Sequence, residues 1–261
     1  MAVLRLRAGV PSLHPALVTT IILLAVAIFV MAALYSSVGH AGASGYLAAM
    51  ALFAVAPAVM KPTALTLNIL VALIATLRYY QAGYFSWRVF LPFALSSVPL
   101  AFVGGALTLP NPVYEKIVGL VLVFAAYRLW ISLRRKASAE VKPVPVPLAV
   151  ALGAGIGLLS GMTGVGGGIF LSPLVLLAGW AETRQMSGVA AAFILVNSIA
   201  GLAGHLASVQ YLPGAIYAWG VAAVAGGLVG SELGRRRLAT LTLRRVLSVV
   251  LVIAAVKLML T

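Results

Sequence analysis

The chain reads as an all-helical polytopic membrane protein made of two tandem, inverted repeats of about five helical segments each, interrupted by short glycine-broken helices or re-entrant hairpins. Three observations predict this class. Of 261 residues, 63% are apolar and only 8% charged, against about 25% charged residues in soluble domains. Several apolar runs reach the roughly 20 residues that a helix needs to cross a ~30 Å hydrocarbon core. The two halves also carry related landmarks at a nearly constant offset.

The same composition removes other classes. Eighteen Lys and Arg face four carboxylates, all Glu, for a net charge of +14; nucleic-acid binders with such a charge are polar, and this chain is not, so no nucleic-acid partner is expected. The absence of cysteine excludes disulfides and thiolate chemistry, and three His with four Glu leave few metal ligands. No cofactor or metal is expected. After Arg5, Arg7 and Pro11 the apolar stretch Ala16–Val38 is too long for the h-region of a signal peptide, so it counts as the first membrane segment.

Gly, Pro and charge divide the chain into ten segments. The first five are Ala16–Val38, Tyr46–Met60, Thr63–Gln81, Val89–Leu109 and Pro112–Leu133. The second five are Val146–Met162, Ile169–Trp180, Gln185–Ala207, Gly214–Leu233 and Leu243–Leu260. Residues 1–15 form a tail, 16–133 the first repeat and 148–261 the second. The basic, proline-bearing stretch 134–147 is an exposed linker. Val121–Leu129 matches Val250–Leu258 with six identities in nine positions. Gly39–Gly45 corresponds to Gly164–Gly168, Arg78 to His205 and Tyr84 to Tyr211.

Cytoplasmic loops carry the excess of Lys and Arg. Placing the linker at that face also places Arg184 and the cluster Arg235, Arg236, Arg237, Arg244 and Arg245 there, whether every segment crosses or each glycine-rich pair dips in and returns. Each half then makes an odd number of effective crossings, which inverts the halves relative to each other. Arg5 and Arg7 fall on the outer side and run against the trend. The basic clusters are topology signals facing water and anionic headgroups.

The strongest motif is Ser160-Gly-Met-Thr-Gly-Val-Gly-Gly-Gly168, with five glycines in the eight residues 161–168. Glycine costs a helix about 1 kcal/mol per position, so the helix breaks here. Broken backbone at membrane depth survives only when buried in protein or lining a wet cavity. The restarted helix turns unpaired N–H groups and a positive dipole end toward that cavity, which suits an anion. Ser36 to Gly45 repeats the pattern more weakly, and two such termini from inverted halves are expected to meet near the midplane. On this reading the positive potential comes from helix ends, without any buried Lys or Arg. Gly226, Gly230 and Gly234, spaced by four, read instead as a close-packing seam.

Gly164-Val-Gly-Gly-Gly168, with Pro173 five residues on, Asn197 and Ser198 in the next helix and a weaker first copy, resembles the TauE/SafE family of membrane transporters. The resemblance runs from about Ala16 to Leu260. It implies movement of small, often sulfur-containing anions such as sulfite, sulfoacetate or other organosulfonates across the plasma membrane, by export or uptake. The first copy, Gly39-His40-Ala41-Gly42, departs from the clean glycine cluster, which weakens the carry-over of binding roles to it.

Polar side chains within apolar segments are functional candidates. The candidate substrate-binding set is Gly39, His40, Gly42, Ser44, Asn68, Thr163, Gly164, Gly166, Gly167, Gly168 and Asn197. His40, Arg78 and His205 are candidates for gating or coupling, His40 as a proton acceptor for a co-transported proton. Each has a structural alternative: Ser44 and Thr163 as helix caps, the two Asn as links between crossing helices, Arg78 as a snorkelling interface residue. Glu232 is expected to pair with Arg235 and Arg236 at i+3 and i+4. Tyr79, Tyr80, Tyr84, Trp87, Tyr211 and Trp219 fit an aromatic belt.

The function expected is a secondary carrier working by alternating access. A passive anion channel would use the same dipole site. Gly42-Ala-Ser44-Gly45 superficially resembles an intramembrane serine protease motif, with His205 as base, but the second copy lacks the serine. No Gly-x-x-x-x-Gly-Lys stretch supports a nucleotide-driven pump.

Overall fold

The computed structural model describes residues 15–37, 40–131, 141–209, 214, 216–235 and 241–260. They form ten helices and, among the described residues, no strand: α1 (Pro15–Ser36), α2 (Ala43–Leu52), α3 (Pro57–Gln81), α4 (Trp87–Ala106), α5 (Asn111–Ile131), α6 (Val146–Thr163), α7 (Gly168–Ala178), α8 (Thr183–Val209), α9 (Ile216–Arg235) and α10 (Leu241–Leu260). By length and apolar composition, α1, α3, α4, α6, α8 and α9 can each cross a membrane. Large apolar side chains point outward along them, among them Leu95 (70% exposed) and Val221 (73%). In water such surface would be costly; in lipid it is matched.

One boundary differs from the sequence expectation. The second segment was expected to run from Tyr46 to Met60 and the third to begin at Thr63, with Lys61-Pro62 between them. The chain instead turns at residues 53–56, and α3 takes in Met60, Lys61 and Pro62. Pro57 opens α3 because its missing N–H falls where no intrahelical acceptor exists. Pro62 is absorbed inside, its carbonyl accepting the Thr66 hydroxyl at 2.9 Å. Lys61 thereby moves from an expected loop into a buried helical turn.

Glycine seams set the helix directions. β-Carbons at Gly153, Gly157 and Gly161 of α6 would run into the carbonyls of Phe93, Ser97 and Ala101 in turn, so α6 lies parallel to α4 at backbone contact. Gly226 and Gly230 of α9 meet Phe29 and Ala33 the same way, so α9 lies parallel to α1. The packing role expected of these two glycines holds; the surroundings of Gly234 lie outside the described residues. α8 also runs with α4, pairing Asn197 with Ser97 and Ser208 with Ala106. α3 runs with α9, pairing Val71 with Gly227 and Arg78 with Ser231. α3 and α8 cross antiparallel, with Leu65 against Gly201 and Tyr79 against Gly188. α5 and α10 are antiparallel as well: Gly119 lies on Met259, and Ser248 donates to the Ala126 carbonyl.

The two short helices return rather than continue. α7 starts beside Ile156 and Ile194 and ends at Gly179, whose carbonyl accepts the Lys142 amide just ahead of α6; α7 is therefore antiparallel to α6. α2 starts beside Met31 and Tyr35 of α1 and delivers the chain in four residues to the start of α3. Two apolar cores result. One gathers Leu24, Ile28, Tyr46, Leu47, Met50 and Leu122; the other gathers Phe93, Leu171, Trp180, Met186 and Phe193.

Candidate functional site

Between α6 and α7 the backbone takes the left-handed conformation at Gly164, Gly166 and Gly167, with φ of 85°, 80° and 81°. A side-chain-bearing L-residue pays about 1–2 kcal/mol there, which explains the residue type. Residues 164–168 are all buried. The Gly164 amide donates to Ser160 O at 2.9 Å, and the Phe170 and Leu171 amides both reach Gly167 O. The amides of residues 165–169 have no backbone acceptor among the described residues.

Two long helices bring side chains to this break near their middles. Asn68 Nδ2 of α3 donates to the Gly164 carbonyl at 3.3 Å. A β-carbon at Gly166 would stand 3.0 Å from both Asn68 Nδ2 and Ser198 Oγ of α8. Asn68 Oδ1 and Ser198 Oγ are buried and lack hydrogen-bond partners among the described residues. Buried polar groups normally find partners, and leaving one unpaired costs about 1–3 kcal/mol. The break is thus a buried nest of unspent donors, chiefly backbone N–H with one hydroxyl, at the positive end of α7.

The first break is built differently. Gly39 lies outside the described residues. The His40 amide donates to Tyr35 O at 3.0 Å, and Gly42, with φ 102°, leads into α2 without a side-chain cap. Ser44 donates to the Tyr35 hydroxyl at 2.7 Å, and Tyr46 donates to the Ala41 carbonyl at 2.6 Å. Two buried tyrosines therefore pack against this break and engage the Ser44 hydroxyl and the Ala41 carbonyl, while Ser36 Oγ at the end of α1 is buried without a partner among the described residues. The breaks touch through His40, whose Nε2 lies 3.1 Å from Ser172 Oγ on the first turns of α7. Ser172 Oγ also lies 2.9 Å from Gly168 O as a donor, and the role of the imidazole nitrogen follows its tautomer. The two restarts, expected to meet near the midplane, are joined through this pair; because each is the returning arm of a hairpin and the hairpins run oppositely, their N–H ends point in opposite directions.

The remaining candidates fall into place around this centre. Thr163 Oγ1 bonds back to Leu159 O at 2.7 Å, and its carbonyl accepts from Tyr114 at 3.2 Å. Asn197 does not face the break: Nδ2 donates to Phe193 O at 2.8 Å and Oδ1 accepts from Ser97, tying α8 to α4. Its neighbour Ser198, one position on and so turned by about 100°, is the residue at the break. Arg78 donates to Ser231 Oγ at 2.8 Å and lies 3.9 Å from Glu232. Glu232 was expected to pair along its own helix with Arg235 and Arg236; the parallel packing of α3 and α9 presents Arg78 to it, and those two arginine side chains lie outside the described residues, as does Tyr211. His205 is buried near the end of α8. Ser44 is bonded to Tyr35, and His205 Nε2 has no hydrogen-bond partner among the described residues, so no Ser44–His205 dyad exists.

The sequence reading missed Lys61. It is 7% exposed, and Nζ donates to the carbonyls of Gly105 at 2.7 Å and Leu107 at 3.0 Å, at the C-terminal end of α4. Gly164 rests against its backbone: a β-carbon there would stand 3.1 Å from Lys61 O. The expectation of a site without a buried cation is therefore corrected. The reason lies in the shifted start of α3, and Pro57 was the available signal.

Apolar helices that hold two broken hairpins side by side, one lined with unspent backbone donors, define a polytopic membrane transporter. The family model described as "Sulfite exporter TauE/SafE" matches residues 23–258, and the chain belongs to that family. It is 42% identical over 239 residues to the "Probable membrane transporter protein y4hK" of Sinorhizobium fredii (strain NBRC 101917 / NGR234), covering 90% of this chain and 97% of that relative. No solved structure matches the chain.

Proposed function

We propose that this transporter is a secondary carrier that moves a small anion, sulfite or an organosulfonate such as sulfoacetate, across the plasma membrane by alternating access. The observation that carries the reading is the buried break at residues 164–168, with amides lacking backbone acceptors and the unpartnered Ser198 hydroxyl beside them. Oxyanions accept several hydrogen bonds at once, and charge-assisted bonds are the stronger kind. Family membership supports a sulfur oxyanion as the cargo.

Inverted repeats are supported by the helix directions. α1, α3 and α9 run one way and α4, α6 and α8 the other, so α1 and α6, α3 and α8, and α4 and α9 are opposed as related pairs. The α5–α10 pair is antiparallel too. Opposed helix starts at two touching breaks, with the donor nest at the second, suit a site opened alternately by rocking of the halves. Arg184, Lys142 and Arg78 lie at the same ends of the bundle, where α6 and α8 start and α3 finishes, and this supports a cytoplasmic assignment for the 134–147 and 235–245 regions. His40, bridging the breaks, is the group through which proton coupling would act, with Arg78 and His205 as gating elements at opposite ends of the bundle.

Flux into proteoliposomes tests the reading. Sulfite or sulfoacetate uptake should saturate with concentration and be stimulated by the same anion inside. Linear, unsaturating flux would favour a channel, and absence of any anion flux would overturn the reading. A pH gradient without effect on either wild type or His40→Ala would remove the proton-coupling part alone.

A further inference from the structure

Below the second break lies a polar cluster that the break itself does not use. Lys61 places a buried ammonium against the carbonyls of Gly104 (3.5 Å), Gly105 (2.7 Å) and Leu107 (3.0 Å). These oxygens lie at or just past the end of α4, where carbonyls have no intrahelical donor and carry the negative end of the helix dipole. They satisfy the N–H groups without neutralising the charge. No carboxylate of the described residues lies within 4.0 Å of Lys61; the ion pair formed among them joins Arg78 to Glu232. A buried charge lacking a counter-ion is costly and draws an ion of opposite sign.

His205 reaches the same helix end from α8. Its neighbour Gly204 packs on the Phe102 carbonyl and the Ala106 amide, and Ser208 donates to Ala106 O at 2.9 Å. The residue is 5% exposed, and Nε2 has no hydrogen-bond partner among the described residues. The cluster adjoins the break through the contact of Gly164 with the Lys61 backbone. It lies on the side toward which the N–H end of α7 points.

We infer that Lys61 and His205 form a second binding station for a small oxyanion, between the second break and the membrane face at which α4 ends. The inference rests on the anion-carrier reading and adds to it the charge-selecting residues of one half-path. An ion leaving the α7 amides in that direction passes to an ammonium and, from the Nε2–H tautomer, an imidazole donor. Lys61 then exchanges part of its carbonyl contact for the ion, which supplies the missing counter-charge.

Sulfite uptake into proteoliposomes by wild type, His205→Leu, Lys61→Met and Lys61→Arg tests this, with detergent melting of each variant as the control for folding. His205→Leu should raise KM for sulfite about tenfold, the ratio for loss of one charge-assisted hydrogen bond, with kcat changed less and Tm retained. Lys61→Met should raise KM by about tenfold to a hundredfold on the same grounds, and Lys61→Arg should recover part of that loss because it restores the charge. If Lys61→Met fails to fold, His205→Leu decides alone. KM within about twofold of wild type in His205→Leu overturns the station while leaving the carrier reading intact. Failure of wild type to move any anion overturns both.

Discussion

The two glycine breaks differ in how much of their polar lining is already committed to partners. At the first, only Gly42 among the described residues is left-handed, and the tyrosines at 35 and 46 consume the hydroxyl of Ser44 and the carbonyl of Ala41. At the second, three left-handed glycines open the backbone, and the side chains that approach, Asn68 and Ser198, keep polar atoms to spare. The first break also keeps a buried hydroxyl without a partner among the described residues, Ser36 Oγ at the end of α1, so the two differ in degree. We propose that binding falls chiefly to the second break, with His40–Ser172 as the link between the two.

The sharpest way to break this comparison is a matched pair of substitutions. Gly166→Ala and Gly42→Ala both place a methyl group in left-handed backbone, at a similar cost of about 1–2 kcal/mol, read as similar falls in Tm. Only Gly166→Ala also pushes a carbon between Asn68 and Ser198, so it should abolish sulfite uptake while Gly42→Ala retains it. Equal loss of uptake in both would erase the distinction.

A smaller effect is expected from the serines. Ser198→Ala should raise KM for the transported anion several-fold, since one hydrogen bond to an ion is worth about 1.5–3 kcal/mol. Ser44→Ala, which loses only its bond to Tyr35, should lower stability by about 1 kcal/mol with KM unchanged. Asn197→Ala should act like Ser44→Ala, costing about 1–3 kcal/mol through the Ser97 hydroxyl it strands and leaving KM alone. A KM effect there would place Asn197 at the ligand after all. Smallest is Ser172→Ala; its test is a double-mutant cycle with His40→Ala on Tm, with a coupling energy of about 0.5–1 kcal/mol expected if the breaks are mechanically joined. A coupling near zero would leave them as neighbours only.

Much of this architecture was legible along the chain. Runs of apolar residues gave the helices because lipid permits no other spanning structure from such segments. The Gly164–Gly168 cluster announced its break because consecutive glycines cannot sustain a helix, and Gly226 and Gly230 announced a seam by their spacing alone. The errors share a cause. Lys61-Pro62 looks like a loop when proline is read as a terminator, but Pro57 had already opened the helix, and the neighbouring helices decided the rest. Asn197 and Ser198 are adjacent letters with equal claims on the site, and only their rotation about α8 separates them. Glu232 has basic neighbours on its own helix, whose side chains lie outside the described residues, and a partner that the sequence did not suggest, Arg78, comes from α3, far away in sequence.

By itself, then, the sequence determined that this chain is a helical membrane protein and where its backbone must break. Those conclusions follow from local physics: hydropathy over one helix length, and the conformational freedom of glycine. Which polar side chains turn toward a break, and whether a cation is buried nearby, were decided only by the tertiary structure. Each depends on the rotation and direction of helices from opposite halves of the chain, and in a bundle this rich in small residues those are set by backbone-to-backbone packing that no single segment encodes.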